Sequence, residues 1–113
     1  MKHFLRAAMV GIWATAAMAH SPLDATTPAH DAVIAEMPAE VLLTFKGEIR
    51  LTRVSISQAG AEQVDMDLGQ QTTFAQEFAL PVQDMGAGTY QVEWRGLGAD
   101  GHVLKGSFSF TVE

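Results

Sequence analysis

Residues 88–112 read GTYQVEWRGLGADGHVLKGSFSFTV, and the alternation in this stretch decides the fold. Tyr90, Val92 and Trp94 recur at every second position, so an extended chain places them on one face. Leu104, Gly106, Phe108, Phe110 and Val112 do the same further on. Between the two stripes, Gly96 to Gly101 supplies a glycine-rich turn, and the whole predicts an antiparallel hairpin. Upstream, Thr72 to Leu80 places Phe74, Phe78 and Leu80 in phase, with Gln76 as an exception. Glu40 to Phe45 is a short apolar run after Pro38, and Leu51 to Ser57 alternates less cleanly around Val54 and Ile56. Gly86-Ala-Gly88 marks another turn, and no amphipathic helix or internal repeat competes with these strands. The pattern predicts an all-β domain, a small antiparallel sandwich or barrel with Tyr90 and Trp94 in its core.

The 113 residues suit one domain, but the first nineteen do not belong to it. Lys2 and Arg6 open the chain, an apolar run from Ala7 to Ala17 follows, and Ala17-Met18-Ala19 supplies small residues at a cleavage position. Residues 1–19 therefore read as a cleaved secretory signal and 20–113 as the mature domain. Cleavage removes two cations, His3 and no acid, so the formal charge moves from −6 to −8. That balance argues against binding to nucleic acid or to anionic lipid, while it attracts cations. There is no cysteine, so a secreted domain of this size must rely on its hydrophobic core or on a ligand.

The loop of the final hairpin contains Gly96-x-Gly98-x-x-Gly101, the dinucleotide-binding spacing. A strand led by Val103 and Leu104 follows it where that motif requires a helix, so the segment reads as a turn. Asp100 and His102 stand two apart, and in an extended chain their side chains point to the same side. The other end of the mature chain supplies a partner for them. Cleavage after Ala19 gives His20 a free α-amine beside its imidazole, and the two can chelate one ion. Pro22, at the third mature position, has no N–H and blocks a site built from successive backbone amides. Further ligands must come from the fold, and Asp100 with His102 is the best-placed pair. Nitrogen-rich donors of this kind suit tetragonal Cu(II), with Zn(II) lower in the affinity order.

Taken together, these segments resemble the CopC-type periplasmic copper-binding domain. The resemblance runs through His20, Thr27-Pro28, Pro38, Val41 to Phe45, Gly88-x-Tyr90-x-Val92-x-Trp94, Asp100-Gly101-His102 and Gly106-x-Phe108-x-Phe110-x-Val112. It implies a Greek-key β-barrel or sandwich, immunoglobulin-like or cupredoxin-like, working in bacterial copper resistance and copper handling. It also implies that His20, Asp100 and His102 bind Cu(II), with delivery to a CopD-like inner-membrane copper transporter as a further step. Many relatives carry a methionine-rich loop for Cu(I). Here the mature methionines are the scattered Met37, Met66 and Met85, which predicts a Cu(II)-only site with the methionines as packing residues. Relatives also place an acidic residue after the early strand's Thr-Phe; Lys46-Gly47-Glu48 shifts Glu48 by one position as a supporting residue. His30 and Asp31 are expected in a solvent-exposed loop, and Arg95 as an exposed charge near a strand end.

Three classes of function meet these residues. A periplasmic, monomeric Cu(II) buffer or carrier needs no catalytic base, and none of the hydrolase motifs is present. A copper oxygenase would share an amino-terminal histidine chelate but needs a larger domain and an aromatic platform. A metal-free immunoglobulin-like interaction module explains the strands but leaves His20 and Asp100-x-His102 without a purpose. The first reading, a non-enzymatic copper protein, uses the most residues.

Overall fold

The computed structural model describes residues 22–69 and 73–113. The first nineteen residues, His20 and Ser21 lie outside the described residues, as does Thr72 at the start of one expected strand. The described residues form seven strands: β1 (Leu23–Thr27), β2 (Ala32–Ile34), β3 (Glu40–Gln58), β4 (Val64–Asp65), β5 (Ala75–Pro81), β6 (Gly88–Gly98) and β7 (Val103–Val112). All pairings are antiparallel except β2 with β7, which run parallel from Ala32↔Phe110 to Ile34↔Val112.

The 19-residue β3 organises the rest. Its first part lies between β1 and β5, with Leu43 opposite Thr26 on one side and Phe78 on the other. Its last part lies between β6 and β4, with Ile56 opposite Val92 and Val64. Ile49 stands at the changeover, opposite Ala75 of β5 and Gly98 of β6. A single strand thus switches partners and curls the sheet round one core, the way corners are made in orthogonal packings. The runs 40–45 and 51–57 that the sequence suggests are two halves of this strand.

The uneven alternation after Leu51 has a local cause. The register of β3 against β6 shifts between Leu51 and Arg53, so the buried positions change from Val41, Leu43, Phe45, Ile49 and Leu51 to Val54 and Ile56. An extra residue in one strand moves all later side chains to the opposite face. Phe74 corrects another expectation. It precedes β5 and is 42% exposed, while Phe78 and Leu80 are buried. Gln76 breaks the pattern because its amide donates to the carbonyls of Phe45 and Lys46 at 3.2 and 3.4 Å, where the β3–β5 ladder is interrupted.

The core contains Tyr90, Val92, Trp94, Phe108, Phe110 and Val112 from the hairpin, packed against the buried side of β3 and β5. Phe45 meets Trp94 edge-on at 4.9 Å and Phe78 edge-on at 5.8 Å, and Tyr90 stacks on Phe110 at 5.5 Å. Each large apolar side chain so buried contributes roughly 1.5–3 kcal/mol, the stabilisation available to a chain without disulfides. Gly106 is a packing requirement: a Cβ there would stand 2.9 Å from the Trp94 ring, which lies across β7 at this point. The Tyr90 hydroxyl donates to the Gly86 carbonyl, and burial, with the Asp84 charge adding, raises its pKa. Met37, Met66 and Met85 are partly buried against the core.

Candidate metal centre

The β6–β7 hairpin closes through Ala99, Asp100 and Gly101. Gly101 N–H donates to the Gly98 carbonyl at 2.9 Å, and Gly98 N–H donates to the His102 carbonyl at 2.9 Å. Gly101 has φ 87°, the left-handed conformation that ends a three-residue hairpin loop and that favours glycine. The glycine spacing singled out in the sequence is therefore turn geometry, with Gly98 and Gly101 as the residues that shape the site.

This turn brings Asp100 and His102 together. One carboxylate oxygen, Oδ1, accepts the His102 backbone N–H at 3.1 Å, and the other, Oδ2, lies 2.7 Å from His102 Nδ1. Both side chains are largely exposed. The histidine side-chain hydrogen bond, followed by that of its backbone, holds the Asp100 carboxyl below its ordinary pKa. With Nδ1 facing the carboxylate, Nε2 points away from it as a second donor. The Nδ1–Oδ2 separation also resembles that of adjacent ligands on one ion, since bonds of about 2.0 Å at right angles place donor atoms roughly 2.8 Å apart. A proton or a metal ion can occupy the space between them.

The described chain starts at the same end of the molecule. The Pro22 carbonyl accepts Lys46 N–H at 2.9 Å, and Leu23 stands opposite Phe45. Three residues beyond Lys46, Ile49 stands opposite Gly98 at the base of the hairpin loop. The β3 corner thus links the anchored Pro22 to the Asp100–His102 turn. Glu48 lies exposed in this corner, but among the described residues no group of three His, Cys, Asp or Glu side chains forms a metal-sized cluster. Asp100 and His102 meet; Glu48 does not join them; His20 lies outside the described residues, two positions before Pro22.

His30 and Asp31 are exposed, as the sequence suggests, but they are engaged. His30 Nδ1 accepts the Ser109 N–H at 3.1 Å, Asp31 N–H donates to the Ser109 carbonyl at 2.7 Å, and Ser109 Oγ donates to Asp31 Oδ1 at 3.2 Å. Nothing local in the sequence signals this, because Ser109 is 78 positions beyond Asp31.

The CopC domain family model matches residues 23–113. The chain belongs to the CopC domain family. Across 112 residues this CopC domain is 27% identical to Copper resistance protein C of Escherichia coli, covering 88% of this chain and 86% of that one. It superposes on CopC from Methylosinus trichosporium OB3b with a TM-score of 0.71 at 28% identity, over 83% of this chain and 94% of that chain. The copper resistance protein PcoC of Escherichia coli shares the fold, with a TM-score of 0.60 at 22% identity, over 80% of this chain and 98% of that chain. Family membership places the domain among copper-resistance proteins and outside the enzymes, which sets aside the oxygenase alternative. Among the described residues no helix is long and apolar enough to cross a membrane.

Proposed function

We propose that this CopC domain is a periplasmic Cu(II)-binding protein that buffers copper or passes it on, after cleavage between Ala19 and His20. The ion is held by the α-amine and imidazole of His20 together with Asp100 and His102. The observation that carries this reading is the Asp100–His102 pair, whose donors stand 2.7 Å apart on a hairpin turn joined by the β3 corner to the anchored Pro22. Copper-binding function is what the family supports, and the donor chemistry favours Cu(II). Asp100 has two roles open to it: to ligate beside Nδ1, or to orient the ring while Nε2 ligates. Binding releases protons from the amine and the imidazoles, so affinity falls on acidification. Because the unfolded chain cannot hold the two ends together, bound copper stabilises the folded state. A transporter of the CopD type is a fitting acceptor for a carrier of this kind.

Electron paramagnetic resonance during a Cu(II) titration of protein starting at His20 tests the reading. One equivalent of tetragonal, nitrogen-coupled Cu(II) supports it. Weak binding without defined stoichiometry overturns it in favour of a metal-free interaction module, and a spectrum unchanged by His102→Ala overturns the ligand set.

A further inference from the structure

Beyond the metal centre, the distribution of positive charge on the outer face of the β3–β6–β7 sheet stands out. Five cations, Lys46, Arg50, Arg53, Arg95 and Lys105, face thirteen acids in the described part of the chain. Three of the five stand in one cross-strand row: Arg53 is opposite Arg95, and Arg95 is opposite Lys105. The adjacent row, Val54 with Trp94, points into the core, so the cations point outward, and all three are exposed.

Like charges directly opposite each other in a sheet destabilise it. Here the repulsion is only partly relieved. Arg53 pairs with Asp65 at 3.1 Å, while among the described residues Arg95 and Lys105 form no ion pair. The row forms one side of a groove of about 430 Å³, and the parallel row Ser55, Glu93 and Ser107 lines it further along the strands. Glu93 brings one carboxylate into the groove against the three cations of the row, so this groove keeps a net positive charge on an otherwise acidic domain and suits a negatively charged partner.

We propose that this row is a docking surface for an acidic, extended segment of a partner protein. Three strands at about 4.8 Å spacing give a row roughly 10 Å long, which spaced carboxylates on a peptide can follow and a single small anion cannot span. The acidic remainder of the domain opposes a broad anionic membrane but leaves a narrow segment free to enter the groove. Lys105 is three residues from His102, about 10 Å of extended chain, so a partner held here lies toward the hairpin end that carries the candidate metal centre. Docking itself requires no copper, so its failure would leave the metal reading intact.

The test is fluorescence anisotropy of a labelled hexaglutamate peptide added to the metal-free mature protein. Saturable binding that weakens with salt is expected, with at least a tenfold loss of affinity in the Arg95→Gln, Lys105→Gln double variant and none in Lys46→Gln. Absence of saturable binding, equal binding by the double variant, or an equal loss in Lys46→Gln overturns the proposal. So does binding to vesicles containing anionic phospholipid without binding to the peptide. Thermal denaturation provides the control: relief of repulsion leaves the melting temperature of the double variant unchanged or higher, whereas a fall would make the row structural and overturn its docking role.

Discussion

Two histidine–aspartate neighbours lie on the surface of this domain, and their hydrogen bonds separate them. At the hairpin tip, Asp100 and His102 satisfy each other, and the His102 ring keeps Nε2 directed away from its partner. At the edge of β7, His30 Nδ1, Asp31 Oδ1 and the Asp31 backbone N–H engage Ser109, fastening the segment before β2 to the last strand, while His30 Nε2 and Asp31 Oδ2 stand 3.4 Å apart. The residue types are the same in the two places. What differs is closeness and commitment: the facing donors stand 2.7 Å apart at the hairpin tip and 3.4 Å apart at the edge, where the remaining ring nitrogen and carboxylate oxygen are consumed in joining strands.

Substituting each histidine in turn gives the widest separation. With copper at about a hundred times the dissociation constant, the bound ion is worth about 2.7 kcal/mol, a rise in melting temperature on the order of 10 °C for a domain of this size. His102→Ala and His20→Ala should each remove most of that rise, and His30→Ala should keep it, as measured by thermal denaturation with and without Cu(II). A full rise in His102→Ala would erase the distinction between the two pairs. Next in size is an extra residue before His20, which converts the amine to an amide. Competition titrations should show a loss of at least the roughly 10- to 100-fold that disturbing even an outer partner of a metal ligand costs.

The edge pair responds in the opposite sense, through the metal-free protein. Asp31 has φ 66°, where a β-branched side chain is strained, so Asp31→Val should lower stability by about 1–2 kcal/mol and leave copper affinity unchanged. Denaturant unfolding of the metal-free variant measures the first effect and a copper titration the second. The smallest effect is a proton titration. The folded Asp100 pKa lies below the ordinary value of 3.8, so its bond to His102 favours the fold above that pH and is lost as pH falls through the lower folded value. Carbon-detected NMR should find the Asp100 midpoint below 3.8, and His102→Ala should return it toward that value.

The hairpin was legible in the sequence because β6 and β7 keep an unbroken period of two and their turn carries glycines at the required positions. Asp100 and His102 were legible as a pair for a related reason: contact between residues two apart depends only on local conformation. β3 reads as two fragments because one bulge reverses its inward face, information that lies in pairing and not in composition. β1, β2 and β4 are two to five residues long, with few buried positions, too short for periodicity to register. The Ser109 clip and the cation row depend on register between distant segments. Arg53, Arg95 and Lys105 become neighbours only after three strands align, and Arg95 alone reads as an ordinary exposed charge.

The single strand β3 also has a kinetic consequence. It supplies the ladder partner for β1, β4, β5 and β6, so neither half of the sheet can persist while the other is open. Folding must close loops of tens of residues before most pairings form, which favours a slow, all-or-none transition over stepwise assembly. Amide exchange in the two halves of β3 should consequently share one opening event, and the anchored amino end and the hairpin turn would be gained or lost together.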